Sequence, residues 1–246
     1  RSRPTLIYFH GGGFFAGSKN MGDPLAASEA TALLDDICAQ GYNIVNVDYA
    51  LVPAAHFPVP LIQANRAFAY LLAHHDEYHL DMDNIVIMGS SAGAIISSQM
   101  GSIVTNPEYA SLFGITPALT PEQIKAVVLD DAPLDYNHFD LATKMLVGNY
   151  VKGSIYLNKE EIKKYNNIGS LTANYPAAVL LGSEYRLDMN VMHKELDSLG
   201  CEHILVDPYA ERGVEKPHCF VAEERVDDIA KDAFDRMMAF IESKTR

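Results

Sequence analysis

Six short runs of β-branched and other apolar residues recur along the chain: TLIYF (5–9), NIVNVD (43–48), NIVIMG (84–89), KAVVLD (125–130), AAVLLG (177–182) and EHILVD (202–207). Most are apolar at successive positions rather than at alternate ones, so they call for burial on both faces. Stretches with apolar residues at helical spacing lie between them. A mostly parallel central sheet with helices on both faces buries such strands and accommodates connections of that length, which makes the fold class α/β.

The helices expected between these strands begin with PLAASEATALLDDICAQG (24–41), which has Pro24 near its first turn and stops at Gly41. PLIQANRAFAYLLAHHDEYH (60–79), MNVMHKELDSLG (189–200) and VDDIAKDAFDRMMAFIESK (226–244) complete the set. Residues 134–174 break the rhythm, because they place aromatics, methionine and short helical pieces where a crossover should be brief. The aromatic content of this insertion predicts order. No repeat or linker divides the chain, so the expectation is a single domain over residues 1–246.

With 246 residues, 48% of them apolar, the chain can bury one sizeable core. Its 32 acidic residues against 19 basic ones leave a net charge of -13, which repels polyphosphate and argues against nucleic acid as a partner. Cys38, Cys201 and Cys219 are too few and too scattered for a disulfide framework or a zinc site, and they read as thiols in a reducing compartment. No apolar run is long enough to span a bilayer, so no membrane span is expected and the compartment reads as cytoplasmic. Arg1 stands almost on a strand, which leaves two alternatives: a trimmed chain, or a sheet whose exposed edge is covered by a partner.

Chemistry enters at IVIMGSSAGAIISSQ, where Gly89-Ser90-Ser91-Ala92-Gly93 forms G-x-S-x-G between a strand and a small-residue helix. A serine on so sharp a turn is held in strained φ/ψ with its hydroxyl above the sheet, and the flanking glycines relieve the contact between strand and helix. The helix start behind it adds free N–H donors and positive potential. HGGG (10–13), directly after the first strand, then acquires a purpose. A tetrahedral intermediate of acyl transfer needs N–H groups aimed at one oxyanion, and residues without side chains allow that approach. Gly12, Gly13 and Ala92 are the candidate donors, and His10 is expected to brace the loop.

HGGGFFAG (10–17), DYALVPAAHFPVP (48–60), GSSAG and KPHCF (216–220) resemble, in that order, the bacterial hormone-sensitive-lipase-like esterases of the α/β-hydrolase superfamily. The resemblance covers nearly the whole chain. It implies a serine carboxylester hydrolase acting on a small-molecule ester, with no cofactor and no metal, and with the insertion at 134–174 forming part of a cap. It also implies His218 as the catalytic histidine, which fits a loop after the last strand at the same sheet edge as Ser91. Strands before TLIYF are usual in this fold, and the resemblance admits a homodimer paired through terminal strands or helices. His74, His75 and His79, in a polar helix end, read as solvated.

The family usually has an aspartate three residues after the glycine that ends the penultimate strand, and here GSEYRLD has Tyr185 at that position. A phenol cannot hold the histidine tautomer or stabilise the imidazolium. Asp188 is the favoured replacement, with Glu184 on the same loop and Asp130 or Asp131 after the preceding strand as alternatives, since some α/β hydrolases take their acid there. Ser90 stands where these esterases often have Asp, and Ala50 and Ala54 interrupt the usual charged residues of the DY…P segment.

Three rival readings compete. GGGFFA (11–16) satisfies a dinucleotide fingerprint, but breakers follow it instead of a helix, and Asp48 lies 35 residues past Gly13 where about 20 is expected. A non-catalytic binding member of the same fold is motivated by the missing aspartate, yet Ser91, His218 and the glycine loop are all present. An amidase or formamidase uses the same parts but demands better protonation of the leaving amine, which favours esters.

Overall fold

The computed structural model describes residues 3–20 and 30–246. All six expected strands form: β1 (Pro4–Phe9), β2 (Asn43–Val47), β3 (Asp81–Ser90), β4 (Ile124–Asp130), β5 (Ala177–Leu181) and β6 (His203–Val206). They make one parallel sheet in the order β2-β1-β3-β4-β5-β6. The apolar runs sort by the two-residue period of a strand. Ile7, Phe9, Ile85, Ile87, Val127, Leu129 and Leu180 face one core; Leu6, Tyr8, Val86, Met88, Val128, Val179 and Leu181 face the other.

Helices Val59–Ala73, Ala92–Thr105 and Arg186–Leu199 contribute Phe68, Ile96 and Met192 to the first core. Helices Ala30–Ala39 and Asp228–Thr245 contribute Ile37 and Met237 to the second. The helix predicted over 24–41 is present from Ala30, and its expected start at Pro24 lies outside the described residues. The long run predicted over 60–79 is divided. One helix ends at Ala73 and a single turn, His75–Tyr78, follows, closed by His79 in the left-handed region.

The segment between β4 and β5 carries helices Leu141–Lys152 and Lys159–Tyr165. Asp140 and Asn158 cap them by accepting from the N–H groups of Thr143 and Glu161. Its aromatics anchor it as expected. Tyr150 stacks on Phe14 of the glycine loop, and the Tyr165 hydroxyl donates to the carbonyl of Pro133 at 2.6 Å. From below, Gln99 donates to the Tyr165 carbonyl. The insertion is thereby fastened to the helix that follows Ser91 and to the loop that follows β1. Among the described residues, no helix is long and apolar enough to cross a membrane.

Candidate active site

Because the sheet is parallel, the carboxyl ends of β1, β3, β4, β5 and β6 share one edge, and the loops leaving them meet there. Ser91, directly after β3, has φ 53° and ψ -118°, a conformation that costs a side-chain-bearing residue about 1–3 kcal/mol. The following helix begins at Ala92; Ala94 and Ile95 donate to the Ser91 carbonyl, while the N–H groups of Ala92 and Gly93 precede the first acceptor that the helix itself supplies. The spacing of the pentapeptide has a steric cause. A Cβ on Gly89 would lie 2.2 Å from the carbonyl of Gly93, and one on Gly93 would lie 1.9 Å from the carbonyl oxygen of Phe9. The second contact brings the end of β1 against the helix start, so the HGGG loop is placed beside Ser91.

Within that loop Gly12 and Gly13 have φ 108° and 60°, and the Gly12 carbonyl accepts from the N–H groups of Phe15 and Ala16. A Cβ on Gly12 would stand 2.2 Å from the Ala16 oxygen. His10 braces the loop as expected: its ring stacks on Tyr49 at 4.3 Å, and the Tyr49 hydroxyl donates to the His10 carbonyl at 2.6 Å. Tyr49 belongs to the DYALVP segment. His74 and His75 face Glu77 and Asp76 at the exposed surface, away from this edge.

The histidine's partner differs from the sequence expectation. Nδ1 of His218 donates to Oδ2 of Asp131 at 2.6 Å, and Glu184 lies 3.4 Å from the same nitrogen. Asp188 is elsewhere. It sits in the first turn of helix Arg186–Leu199, and its Oδ1 accepts from the N–H groups of Leu134 and Asp135 at 3.0 and 2.7 Å. There it secures the root of the insertion, with burial lifting its pKa to about 6 against those two donors.

Asp131 follows β4 with φ 56°, which turns its side chain back into the cluster. The GSEYR loop does not supply the acid; it wraps around it. Oδ1 accepts from the N–H groups of Ser183 and Tyr185, and Oδ2 accepts from the Ser183 hydroxyl and the N–H of Glu184. Tyr185 packs the edge of its ring against His218 at 5.3 Å. The LDDAP stretch held the signal for Asp131, but only pairing across the sheet distinguishes it from Asp130 and Asp188.

The two strand ends are joined through one backbone oxygen. The Ser91 N–H donates to the Asp130 carbonyl at 2.8 Å, and Cys219, next to His218, directs its thiol to the same atom at 3.5 Å. Below it, the Tyr8 hydroxyl donates to Ser90 and Ser90 donates to Oδ2 of Asp130. Burial raises the Asp130 pKa to about 7, opposed by the Ser90 bond. Burial also lowers the basicity of His218, but the bond and charge of Asp131 outweigh it, with Glu184 and Asp130 adding, and the pKa rises to about 9. The Asp131 carboxyl is correspondingly held below its usual range: burial opposes ionisation, and the His218 and Ser183 bonds overcome it.

Ligand atoms of Asp131, Glu184 and His218 lie within 4.8 Å of one another, as a cation site would require. Yet the Asp131 carboxylate already accepts five hydrogen bonds, which saturates about four lone-pair positions. The donors around it suit a fixed anion beside an imidazole.

The BD-FAE family model matches residues 1–194. An acetyl esterase of Salmonella dublin is 24% identical over 254 residues, covering 94% of this chain and 70% of the relative. Among solved structures, esterase B of Lactobacillus rhamnosis inhibited by a C4-C4 tributyrin phosphonate superposes with a TM-score of 0.78 at 18% identity, covering 99% of this chain and 76% of that one. A thermostable carboxylesterase cloned from a metagenomic library gives a TM-score of 0.74 at 20% identity, covering 100% and 81%. The parallel sheet, the strained serine between β3 and its helix, and the family match over most of its length agree: the chain belongs to the BD-FAE family and has the α/β-hydrolase fold.

Proposed function

We propose that this chain is a serine carboxylester hydrolase acting on small, short-acyl esters. Ser91 Oγ attacks the ester carbonyl carbon, its proton passes to Nε2 of His218, and the N–H groups of Gly12, Gly13 and Ala92 receive the oxyanion. His218 then returns the proton to the departing alcohol. Water repeats the sequence on the acyl-serine and frees the acid. Asp131 takes the role first expected of Asp188: it holds the Nδ1–H tautomer and stabilises the imidazolium.

The observation that carries this reading is the positive φ of Ser91 at a corner whose N–H donates to the Asp130 carbonyl, the same oxygen that Cys219, next to His218, meets. The acyl group has a candidate receptor. A cavity of about 660 Å³ is lined by Phe15 of the glycine loop and by Ala142, Met145, Leu146 and Ile155 of the insertion. Residues 134–174 thus act as a small cap over a mainly apolar pocket. The acetyl esterases among the relatives and the C4-C4 tributyrin phosphonate in the structural neighbour are consistent with short acyl chains.

The test is a burst of p-nitrophenol from the acetate ester, together with labelling by a fluorophosphonate. Wild type should show both. Ser91→Ala, checked for retained fold by circular dichroism, should show neither. Turnover retained in Ser91→Ala, or wild type that neither bursts nor labels, overturns the proposal.

A further inference from the structure

Three side chains converge where the last strand enters the sheet. His193 and Asp197 stand one turn apart on helix Arg186–Leu199, and His203 opens the edge strand β6. In a parallel sheet this amino end of a strand lies opposite the edge that holds Ser91, Asp131 and His218. Nδ1 of His193 is 2.6 Å from Nε2 of His203. The Asp197 oxygens lie 3.5 Å from Nε2 of His193 and 3.6 Å from Nε2 of His203. One donor atom from each residue falls within 4.8 Å of the other two.

The tautomer of His203 is set by its surroundings. Its side chain is 5% exposed, and Nδ1 lies 2.8 Å from the carbonyl oxygen of Cys201. A carbonyl can only accept, so Nδ1 carries the proton and Nε2 presents its lone pair toward His193 and Asp197. An outer hydrogen bond of this kind is what orients a metal-binding imidazole.

We propose that His193, Asp197 and His203 bind a divalent transition-metal ion of the zinc class, with water completing the coordination. Two imidazoles and a carboxylate suit zinc, cobalt or nickel better than calcium or magnesium, whose ligands are oxygens. Tetrahedral ligands at 2.0–2.1 Å from an ion stand roughly 3.4 Å from one another. Asp197 already stands near that distance from Nε2 of His203, at 3.6 Å. Nδ1 of His193 is the nitrogen that faces Nε2 of His203, and this pair must open by about 0.8 Å. The 3.5 Å contact of Asp197 is to the other His193 nitrogen, Nε2, so the carboxylate must turn toward Nδ1 to complete the set. His193 is 34% and Asp197 62% exposed at the side chain, so both can turn toward an ion anchored on buried His203. The ion replaces the proton shared between the rings and ties the helix to the edge strand. No spacing in the sequence announces this site, because the fold alone brings His203 to the other two.

The experiment titrates the metal-free full chain with Zn²⁺ by calorimetry and records thermal melts with and without the ion. Wild type, His193→Ala, His193→Gln, Asp197→Ala and His218→Ala are compared. Expected is one equivalent of Zn²⁺ at a micromolar Kd in wild type and in His218→Ala, weakened at least about 100-fold in both His193 variants and about 10-fold in Asp197→Ala. Zn²⁺ should raise Tm in wild type and not in His193→Gln. Absence of binding at about 100 µM Zn²⁺ overturns the proposal and leaves a hydrogen-bonded His–His–Asp cluster. Binding that survives His193→Ala, or that is lost only in His218→Ala, also overturns it. These readouts do not depend on ester turnover, so they stand or fall separately from the proposed activity.

Discussion

His218 and Asp131 are paired across the top of the sheet, Nδ1 to Oδ2 at 2.6 Å, by residues 87 positions apart. Asp131 leaves β4 and His218 follows β6, with β5 between them. The intervening β5 loop fills the gap with four donors, so the carboxylate is fixed before any substrate arrives.

The first prediction separates the two aspartates. Asp131→Asn should lower kcat on p-nitrophenyl acetate by about 10³–10⁴-fold, because an amide no longer fixes the tautomer or stabilises the imidazolium. Asp188→Asn keeps an acceptor for the Leu134 and Asp135 amides and should cost less than about 10-fold. The reverse order in steady-state kinetics would return the role to Asp188.

The pH dependence follows from the raised His218 pKa. In the proposed mechanism the imidazole accepts the Ser91 proton only when neutral, so kcat/KM should climb with pH and level off above an apparent value of about 9. Glu184 lies 3.4 Å from Nδ1 and helps to raise that value. Glu184→Gln should therefore move the rising limb to lower pH, by about one unit or less. A limb that stays in place or moves upward would show that Glu184 does not act on the base.

Asp130 permits a stability measurement free of catalysis. Its pKa is about 7 in the folded chain, above the ordinary carboxyl value of 3.8, so the unfolded chain loses that proton first. Folding stability from this group is intact below about pH 3.8 and declines until about pH 7, beyond which the loss is complete. Asp130→Asn keeps the acceptor for Ser90 and removes the buried charge. Its Tm should exceed that of wild type at pH 8 and converge with it toward pH 4. An equal Tm difference at both pH values would contradict the argument.

Gly93→Ala should destabilise the fold by about 3 kcal/mol, because its methyl group would overlap the Phe9 and His10 carbonyls. Gly169→Ala, with nothing within 4 Å of the added carbon, should stay within about 1 kcal/mol of wild type. Urea unfolding of the two variants decides the matter; similar midpoints would mean that the helix start can shift away from β1.

The sheet was legible in the apolar runs, because a run such as KAVVLD has little stable alternative to burial on both faces. So were the serine corner and the glycine loop. Gly89 and Gly12 answer to local sterics, against Gly93 and Ala16, and local sterics are written in neighbouring residues; Gly93 answers to Phe9 across the sheet. Which carboxylate meets His218 is set by contacts between distant parts of the chain. Asp130, Asp131, Glu184 and Asp188 are chemically alike, and what separates them is direction. Asp130 points down to Ser90, Asp131 turns through a positive φ toward the imidazole, and Asp188 reaches back to the Leu134 amide. Such directions depend on the register of β4 against β5 and on the angle at which a helix leaves the sheet, and no run of neighbouring residues encodes either.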